Sequence, residues 1–122
     1  MIGEIHDISI QYYDRTLKAM SIKTRPALVV GQADLTDYVV LPISTIKDAS
    51  KRDSYYDIRI ELANFPKSGL TAMESFIRTH KPQTVHYSQI RRRARSNFRL
   101  EYTAKYDEVI LRAKEFYEKA IK

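Results

Sequence analysis

Apolar residues along the first two thirds of the chain are arranged as in β-strands. Residues 27–30 form a continuous apolar run that ends at Gly31, and residues 38–43 form a second run after a short polar turn. Such runs are typical of strands that are buried on both faces or closed into a barrel. In residues 56–62 apolar and polar side chains alternate, which predicts a strand with one face in water.

Three further segments are assigned as strands. Isoleucines in residues 2–10 indicate a first strand, and residues 75–79 indicate a fifth. Residues 93–100, in which the alternation is poor, are assigned as the last strand. The polar residues 11–24 are predicted to form a loop that delays the second strand.

The end of the chain changes to the helical period. Apolar residues recur there at spacings of three and four: Tyr106, Val109, Ile110, Ala113, Phe116, Tyr117, Ala120 and Ile121. This stripe predicts an amphipathic helix over about residues 103–121, with Thr103 as its N-cap. Several short strands and one closing helix predict a single, mainly β domain over residues 1–122, folded as a small barrel.

The positive charge is concentrated in one segment. The sequence has 21 Lys and Arg against 15 Asp and Glu, a formal net charge of +6. Residues 75–100 contain no carboxylate and seven of the basic residues, namely Arg78, Lys81, Arg91, Arg92, Arg93, Arg95 and Arg99. Because Arg binds phosphate through paired hydrogen bonds and stacks on bases, the segment favours a nucleic-acid partner. A solvated surface or a contact with an acidic protein is the alternative.

Several classes of site are missing from the sequence. Without cysteine there is no disulfide, no zinc–thiolate site and no cysteine nucleophile. There is no glycine-rich phosphate loop, and the three histidines lack metal-ligand spacing, so we expect neither a metal nor a cofactor. No apolar run is long enough to span a membrane, and the first residues lack the apolar core of a signal peptide. A cytoplasmic protein is therefore expected.

The side chains that remain for chemistry are Arg, His and the hydroxyls, and this set suits RNA. The 2′-OH of RNA is an internal nucleophile, so cleavage needs only a base, an acid and cations that stabilise the phosphorane. A first segment agrees with this chemistry: Arg25-Pro26 precedes the run at residues 27–30, and Ser44-Thr45 follows the next run. This arrangement resembles the MazF/PemK (Kid) family of toxin endoribonucleases, as does the Gly-acid-aliphatic start at residues 3–5.

A second segment, residues 75–85, is similar to the fifth-strand motif of the same family. In that motif an apolar pair leads to an arginine, an acidic residue two places on, and then a Pro and a Thr. This chain has Arg78 after its apolar pair, with Pro82 and Thr84 downstream. It departs from the motif at His80, which stands in place of the acidic residue.

The resemblance implies an SH3-like barrel that forms a homodimer and pairs with a cognate antitoxin. It also implies sequence-selective, metal-independent cleavage of single-stranded RNA, with attack by the 2′-OH and a cyclic phosphate as product. Carried over by position, Arg25 contacts the scissile phosphate, Ser44 or Thr45 supplies the active hydroxyl, and Arg78 is a second arginine. His80 falls where the family has its general base, a role that an imidazole can fill near neutral pH.

Basic and hydroxyl side chains around these positions are assigned to RNA binding: Lys23, Thr24, Lys81, Arg91, Arg92, Arg93 and Arg95. The alternative is a protein on the same fold that does not cleave RNA, either a nucleic-acid-binding module or a gyrase poison like the CcdB relatives. The set of Arg25, Ser44, Arg78 and His80 favours the enzyme, because a poison that binds protein would not require it.

Overall fold

The computed structural model describes all 122 residues. Its strands are β1 (Glu4–Asp14), β2 (Ala19–Gln32), β3 (Asp37–Ser44), β4 (Asp57–Glu61), β5 (Glu74–Arg78), β6 (Gln83–His86) and β7 (Ser96–Asn97). A short helix α1 (Phe98–Glu101) leads into the long helix α2 (Thr103–Ala120), and 3₁₀ turns lie at Ala49–Lys51 and Tyr87–Gln89. The prediction of a mainly β fold with a C-terminal helix is confirmed.

All seven strands belong to one curled antiparallel sheet, six of them in the order β4-β5-β3-β2-β1-β7 and β6 beside β3. Strand β3 is its centre and pairs with β2 along one edge. Along its other edge, the first half of β3 pairs with β6 and its last two residues pair with β5. Because β3 changes partner along its length, the sheet bends into a half-barrel.

Apolar clusters cover both faces of the central strands. One cluster includes Ile5, Leu28, Leu41, Ile43, Ile77 and Phe98, together with Tyr106, Val109 and Ala113 of α2. The other consists of Ile8, Ala27, Val29, Val40, Val85 and Ile90. Neighbouring residues of β2 therefore enter different clusters, which is why the run at residues 27–30 is continuously apolar.

The loop predicted for residues 11–24 is wrong. Strands β1 and β2 stay paired from Ile5↔Leu28 out to Asp14↔Ala19, and they form a long hairpin. Tyr13, on the outer part of this hairpin, is exposed. Both faces of the outer hairpin meet water and its sequence is mostly polar, and the alternation of Met20 and Ile22 with polar neighbours is too short to predict a strand.

The chain between β5 and α2 also differs from the prediction. Strand β6 was not predicted, and only Ser96–Asn97 of the segment 93–100 is a strand. Asn97 then caps α1, because its side chain accepts a hydrogen bond from the backbone N–H of Leu100. Thr103 is not the N-cap of α2, since its hydroxyl donates to the carbonyl of Arg99 at 2.7 Å. No helix combines the length and the apolar character needed to cross a membrane.

Gly69 occupies a backbone position that requires glycine. Its φ is +78°, and a Cβ built on it would lie 2.6 Å from the carbonyl oxygen of Arg95. We expect Gly69→Ala to lower the free energy of unfolding by about 1–3 kcal/mol, because the strain of a positive φ adds to this close approach. Urea unfolding followed by circular dichroism measures the change.

Gly31→Ala is the matched control for this substitution. A Cβ on Gly31 would have its nearest neighbour, Val39 Cβ, at an ordinary 3.8 Å. The control should shift the free energy of unfolding by less than about 1 kcal/mol. Equal losses in the two variants would contradict the assignment of strain to Gly69.

Candidate functional site

Strand register places Arg25, Ser44 and Arg78 on the same face of the sheet. Arg25 lies two residues before Ala27, which is paired with Pro42, and Ser44 lies two residues after Pro42. Ser44 is in turn paired with Phe76, two residues before Arg78. Side chains two apart on a strand, and side chains of paired residues, point to the same face. The common orientation of the three polar side chains therefore follows from the register alone.

These three side chains line two adjoining cavities, which we call the cleft. The cavities have volumes of about 600 and about 370 Å³, and Arg25, Ser44 and Arg78 border both. The larger cavity is also lined by Thr45, Lys51, Thr71, Ser75 and Arg95. The smaller one is lined by Tyr12, Lys23, Lys81 and Gln83. The shared residues form a waist between the two halves.

The lining of the cleft is strongly basic. Its cationic residues are Lys23, Arg25, Lys51, Arg78, Lys81 and Arg95, and its lining contains no carboxylate and no histidine. A groove lined by cations focuses a positive potential, and it attracts an extended anion. The geometry fits a polyanion whose backbone crosses the waist.

The arginines of the cleft differ in how far the protein engages them. Arg78 donates from Nε to Oδ1 of Asp57 at 3.0 Å. Arg95 donates from Nε to Asp7 at 2.7 Å and from Nη1 to the carbonyl of Gly69 at 3.0 Å. The arginines with an ion pair are Arg52, Arg59, Arg78, Arg95 and Arg112, and Arg25 is not among them. The guanidinium of Arg25 is thus the cleft arginine free to bind an anion.

The hydroxyl pair lies at the rim where β3 ends. Ser44 is the last residue of the strand, and Thr45 lines the larger cavity beside it. Ile46 follows with a φ of +38°, which is unusual for a β-branched residue. Arg52 holds this bend, since its Nε donates to the carbonyl of Ile46 at 2.9 Å. The strained turn fixes where the two hydroxyls leave the sheet.

His80 lies outside the cleft. Its ring packs 5.9 Å from the ring of Tyr56 and 6.1 Å from that of Phe116 on α2, measured between centroids. Nδ1 is buried without a hydrogen-bond partner, and it is 3.8 Å from Oδ1 of Asp57. Burial lowers the pKa of His80 below 6.5 and outweighs the opposite effect of Asp57. His80 is not among the residues that line the cleft, and its role as the base stays a prediction.

The residues predicted to bind RNA fall into three groups. Lys23, Lys81 and Arg95 line the cleft. Thr24 is exposed on the opposite face of β2 from its neighbours in the cleft. Arg91, Arg92 and Arg93 are exposed, and the first two line a separate shallow cavity beside Tyr87.

Sequence reasoning missed several residues of the site. Lys51 and Gln83 reach the cleft from a 3₁₀ turn and from the unpredicted β6, so no local pattern marked them. Nothing in the sequence marks Asp57, because it stands in an alternating strand as an ordinary polar residue. Its side chain is nevertheless fully buried. A buried carboxylate opposite an arginine becomes visible only when the register of β4 and β5 is known.

No cluster of three or more His, Cys, Asp or Glu side chains is suited to hold a metal ion. Comparison with protein families matches residues 6–110 to the family described as PemK-like, MazF-like toxin of type II toxin-antitoxin system. The chain belongs to this family. PemK/MazF toxins are generally endoribonucleases, and membership implies a cognate antitoxin as partner. A comparison with curated proteins gives no match.

The buried imidazole of His80 makes stability depend on pH. Because its pKa is lowered in the folded protein, the unfolded chain binds a proton that the native state does not. The free energy of unfolding should therefore fall as the pH drops below about 6.5. His80→Asn should flatten this fall between about pH 7 and pH 5, as measured by urea unfolding at each pH.

His86→Asn is the control, because it removes an exposed imidazole from the same part of the chain. Because this variant keeps the buried His80, its free energy of unfolding should still fall between about pH 7 and pH 5. A wild-type pH slope in His80→Asn would show that the burial of His80 does not affect stability.

Proposed function

We propose that this toxin is a sequence-selective endoribonuclease that cleaves single-stranded RNA without a metal ion. The observation that carries the proposal is the waist of the cleft, where Arg25, Ser44 and Arg78 meet between two basic cavities. The phosphate to be cleaved would lie at this waist, with a nucleotide in the cavity on either side. Only single-stranded RNA exposes its bases to side chains in such a groove.

The reaction begins with attack of the 2′-OH on the adjacent phosphorus. A pentacoordinate phosphorane forms, and its non-bridging oxygens carry more negative charge than those of the ground state. Arg25, which has no ion-pair partner, and the Nη1 edge of Arg78 stabilise this charge. The 2′-OH proton passes to a solvent water, the bond from phosphorus to the 5′ oxygen breaks, and that oxygen takes a proton back from water, which leaves a 2′,3′-cyclic phosphate.

The hydroxyls of Ser44 and Thr45 contribute by position. Both line the larger cavity beside Arg25, so either can donate a hydrogen bond to a non-bridging oxygen. Removal of the proton from the 2′-OH needs an acceptor, and the lining offers neither His80 nor a carboxylate. Most of the rate enhancement is therefore assigned to orientation and charge stabilisation within the cleft.

The lack of a carboxylate and an imidazole in the lining of the cleft favours a second candidate function. A basic cleft without carboxylate or imidazole also suits a protein that binds RNA and does not cut it. Incubation of the pure protein with a long RNA in EDTA separates the two. Discrete cuts that end in cyclic phosphates support the nuclease, whereas RNA that stays intact and tightly bound supports the binding module. Inhibition of gyrase with intact RNA would support the CcdB-like alternative.

The working unit is proposed to be a homodimer that is held inactive by its antitoxin in the cytoplasm. Light scattering coupled to gel filtration measures the mass of the toxin in solution against the 14.3 kDa of one chain.

Arg25→Ala should lower the rate of cleavage by about 10²-fold or more, because it removes the free cation from the phosphorane. Fold and thermal stability should stay close to wild type, since Arg25 is exposed and has no ion-pair partner. Gel-based cleavage of a defined RNA under single-turnover conditions measures the effect.

Lys114→Ala is the control, as it removes one exposed positive charge from α2, far along the chain from the cleft-lining residues. It should cleave at the wild-type rate. Wild-type cleavage by Arg25→Ala would remove Arg25 from the mechanism.

The exposed arginines beyond the cleft are proposed to contact backbone phosphates. Replacing Arg91, Arg92 and Arg93 together by Gln should weaken RNA binding and reduce the slope of log Kd against log salt by about two, at roughly 0.7 for each single-strand contact. The positions of the cuts should not move. Arg95 is left in place because its ion pair with Asp7 ties it to the fold.

The matched control removes three lysines from the end of the chain, Lys114, Lys119 and Lys122, and so changes the net charge by the same amount. The control should keep the wild-type salt slope. A wild-type slope in the arginine variant would assign this surface to another partner, such as an acidic segment of the antitoxin.

A further inference from the structure

Asp57 and Arg78 form a buried pair across neighbouring strands. The two residues are directly opposite in the register of β4 and β5. Nε of Arg78 donates to Oδ1 of Asp57 at 3.0 Å, and Nη2 approaches Oδ2 at 3.5 Å. The side chain of Asp57 is 0% exposed, whereas that of Arg78 is 24% exposed and borders both cavities of the cleft. The carboxylate lies behind the guanidinium, away from solvent.

The surrounding chain fixes this carboxylate. The backbone N–H of Asp53 donates to Oδ2 of Asp57 at 2.8 Å. The carbonyl of Lys51 accepts a hydrogen bond from Nη2 of Arg78 at 3.4 Å. Two of the three guanidinium nitrogens of Arg78 are thereby used within the protein, and Nη1 is left for a ligand.

An aromatic wall lies next to the pair. Tyr56 precedes Asp57, and its ring packs 5.3 Å from that of Phe116 on α2. The ring of His80 packs against both, with Nδ1 3.8 Å from Asp57. The carboxylate itself is fully buried, and a hydrogen bond in such a dry environment is stronger than one in water.

We propose that Asp57 is a positioning residue of the cleavage reaction, acting through Arg78. The inference rests on the proposed function, since it concerns the orientation of a side chain in that reaction. An unpaired arginine has several rotamers, and rotation of its side chain from one to another would move Nη1 away from the phosphorane. Asp57 holds the guanidinium by its fork, so that little freedom is left to lose in the transition state.

A purely structural role is the competing explanation. A buried ion pair is weak evidence for stability, because removing two charges from water offsets much of their attraction. A stabilising contact also has no need to keep one guanidinium edge in the cleft. The two roles differ in a measurable way, since only positioning makes the effect of Asp57 on kcat depend on the presence of Arg78.

The test is a double-mutant cycle on single-turnover RNA cleavage with Asp57→Asn, Arg78→Ala and the double variant. Asp57→Asn should lower kcat by about 10- to 100-fold with KM changed by less than about threefold, because orientation in the transition state is lost while the cations that bind RNA remain. In the Arg78→Ala background, Asp57→Asn should have no further effect on kcat. Urea unfolding of each variant gives the folded fraction, by which the rates are corrected.

Thr79→Val is the structural control. Thr79 is fully buried and its hydroxyl donates to the carbonyl of Tyr56 at 2.6 Å, so the side chain makes no hydrogen bond to Arg78 or Asp57. This variant should lose stability and keep the wild-type kcat of its folded fraction.

Arg78→Lys serves if Asp57→Asn does not fold. Lysine keeps the positive charge beside Asp57 but lacks the two-pronged geometry, so kcat should fall close to that of Arg78→Ala with little change in KM. A wild-type kcat in Asp57→Asn or in Arg78→Lys would overturn the positioning role. So would an Asp57→Asn effect of equal size with and without Arg78.

Failure of the proposed function gives a different result. A wild-type protein that leaves RNA intact would overturn both the nuclease and the positioning role. Cleavage by the wild type with unaltered kcat in Arg78→Ala would leave the nuclease standing and overturn the positioning role alone.

Discussion

The register of β2 against β1 and β3 is the constraint on which the site depends. Burial of residues 27–29 in two clusters on opposite faces of the sheet fixes that register. A slip by one residue would turn every side chain of β2 to the other face, and Arg25 would no longer share a face with Ser44. By fixing the register, the core places Arg25 beside Ser44. The same ladder continues through β5 and brings Arg78 to the waist of the cleft.

Carboxylates hold two of the three arginines of the cleft in place. Arg78 and Arg95 are held by Asp57 and Asp7, whereas Arg25 has no carboxylate partner. A paired arginine is fixed in place but carries a partly neutralised charge, and an unpaired one keeps its full charge and its freedom. The cleft combines the two types. The fixed arginines shape the groove, and Arg25 supplies the uncompensated charge that an RNA phosphate would meet.

The closing helix has a role beyond covering the sheet. Phe116 of α2 packs on Tyr56 and His80, and Nδ1 of His80 lies 3.8 Å from Oδ1 of the buried Asp57. This contact joins α2, which the sequence predicts well, to the surroundings of Asp57, which it does not predict. It also explains why position 80 accommodates a histidine, because burial beside these rings lowers the pKa of His80 and favours the uncharged imidazole.

The sequence by itself determined the mainly β character and the closing helix, because apolar runs and helical periodicity are local. It also singled out Arg25, Ser44 and Arg78, which the structure brings to one cleft. It did not reveal the outer half of the β1–β2 hairpin, since this ribbon with both faces in water carries too short an alternating pattern. Only the tertiary structure decided that His80 packs against Tyr56 and Phe116 and that Asp57 is paired with Arg78. Both outcomes depend on which strands become neighbours and on where α2 packs, and contacts between residues far apart in the chain leave no local signal.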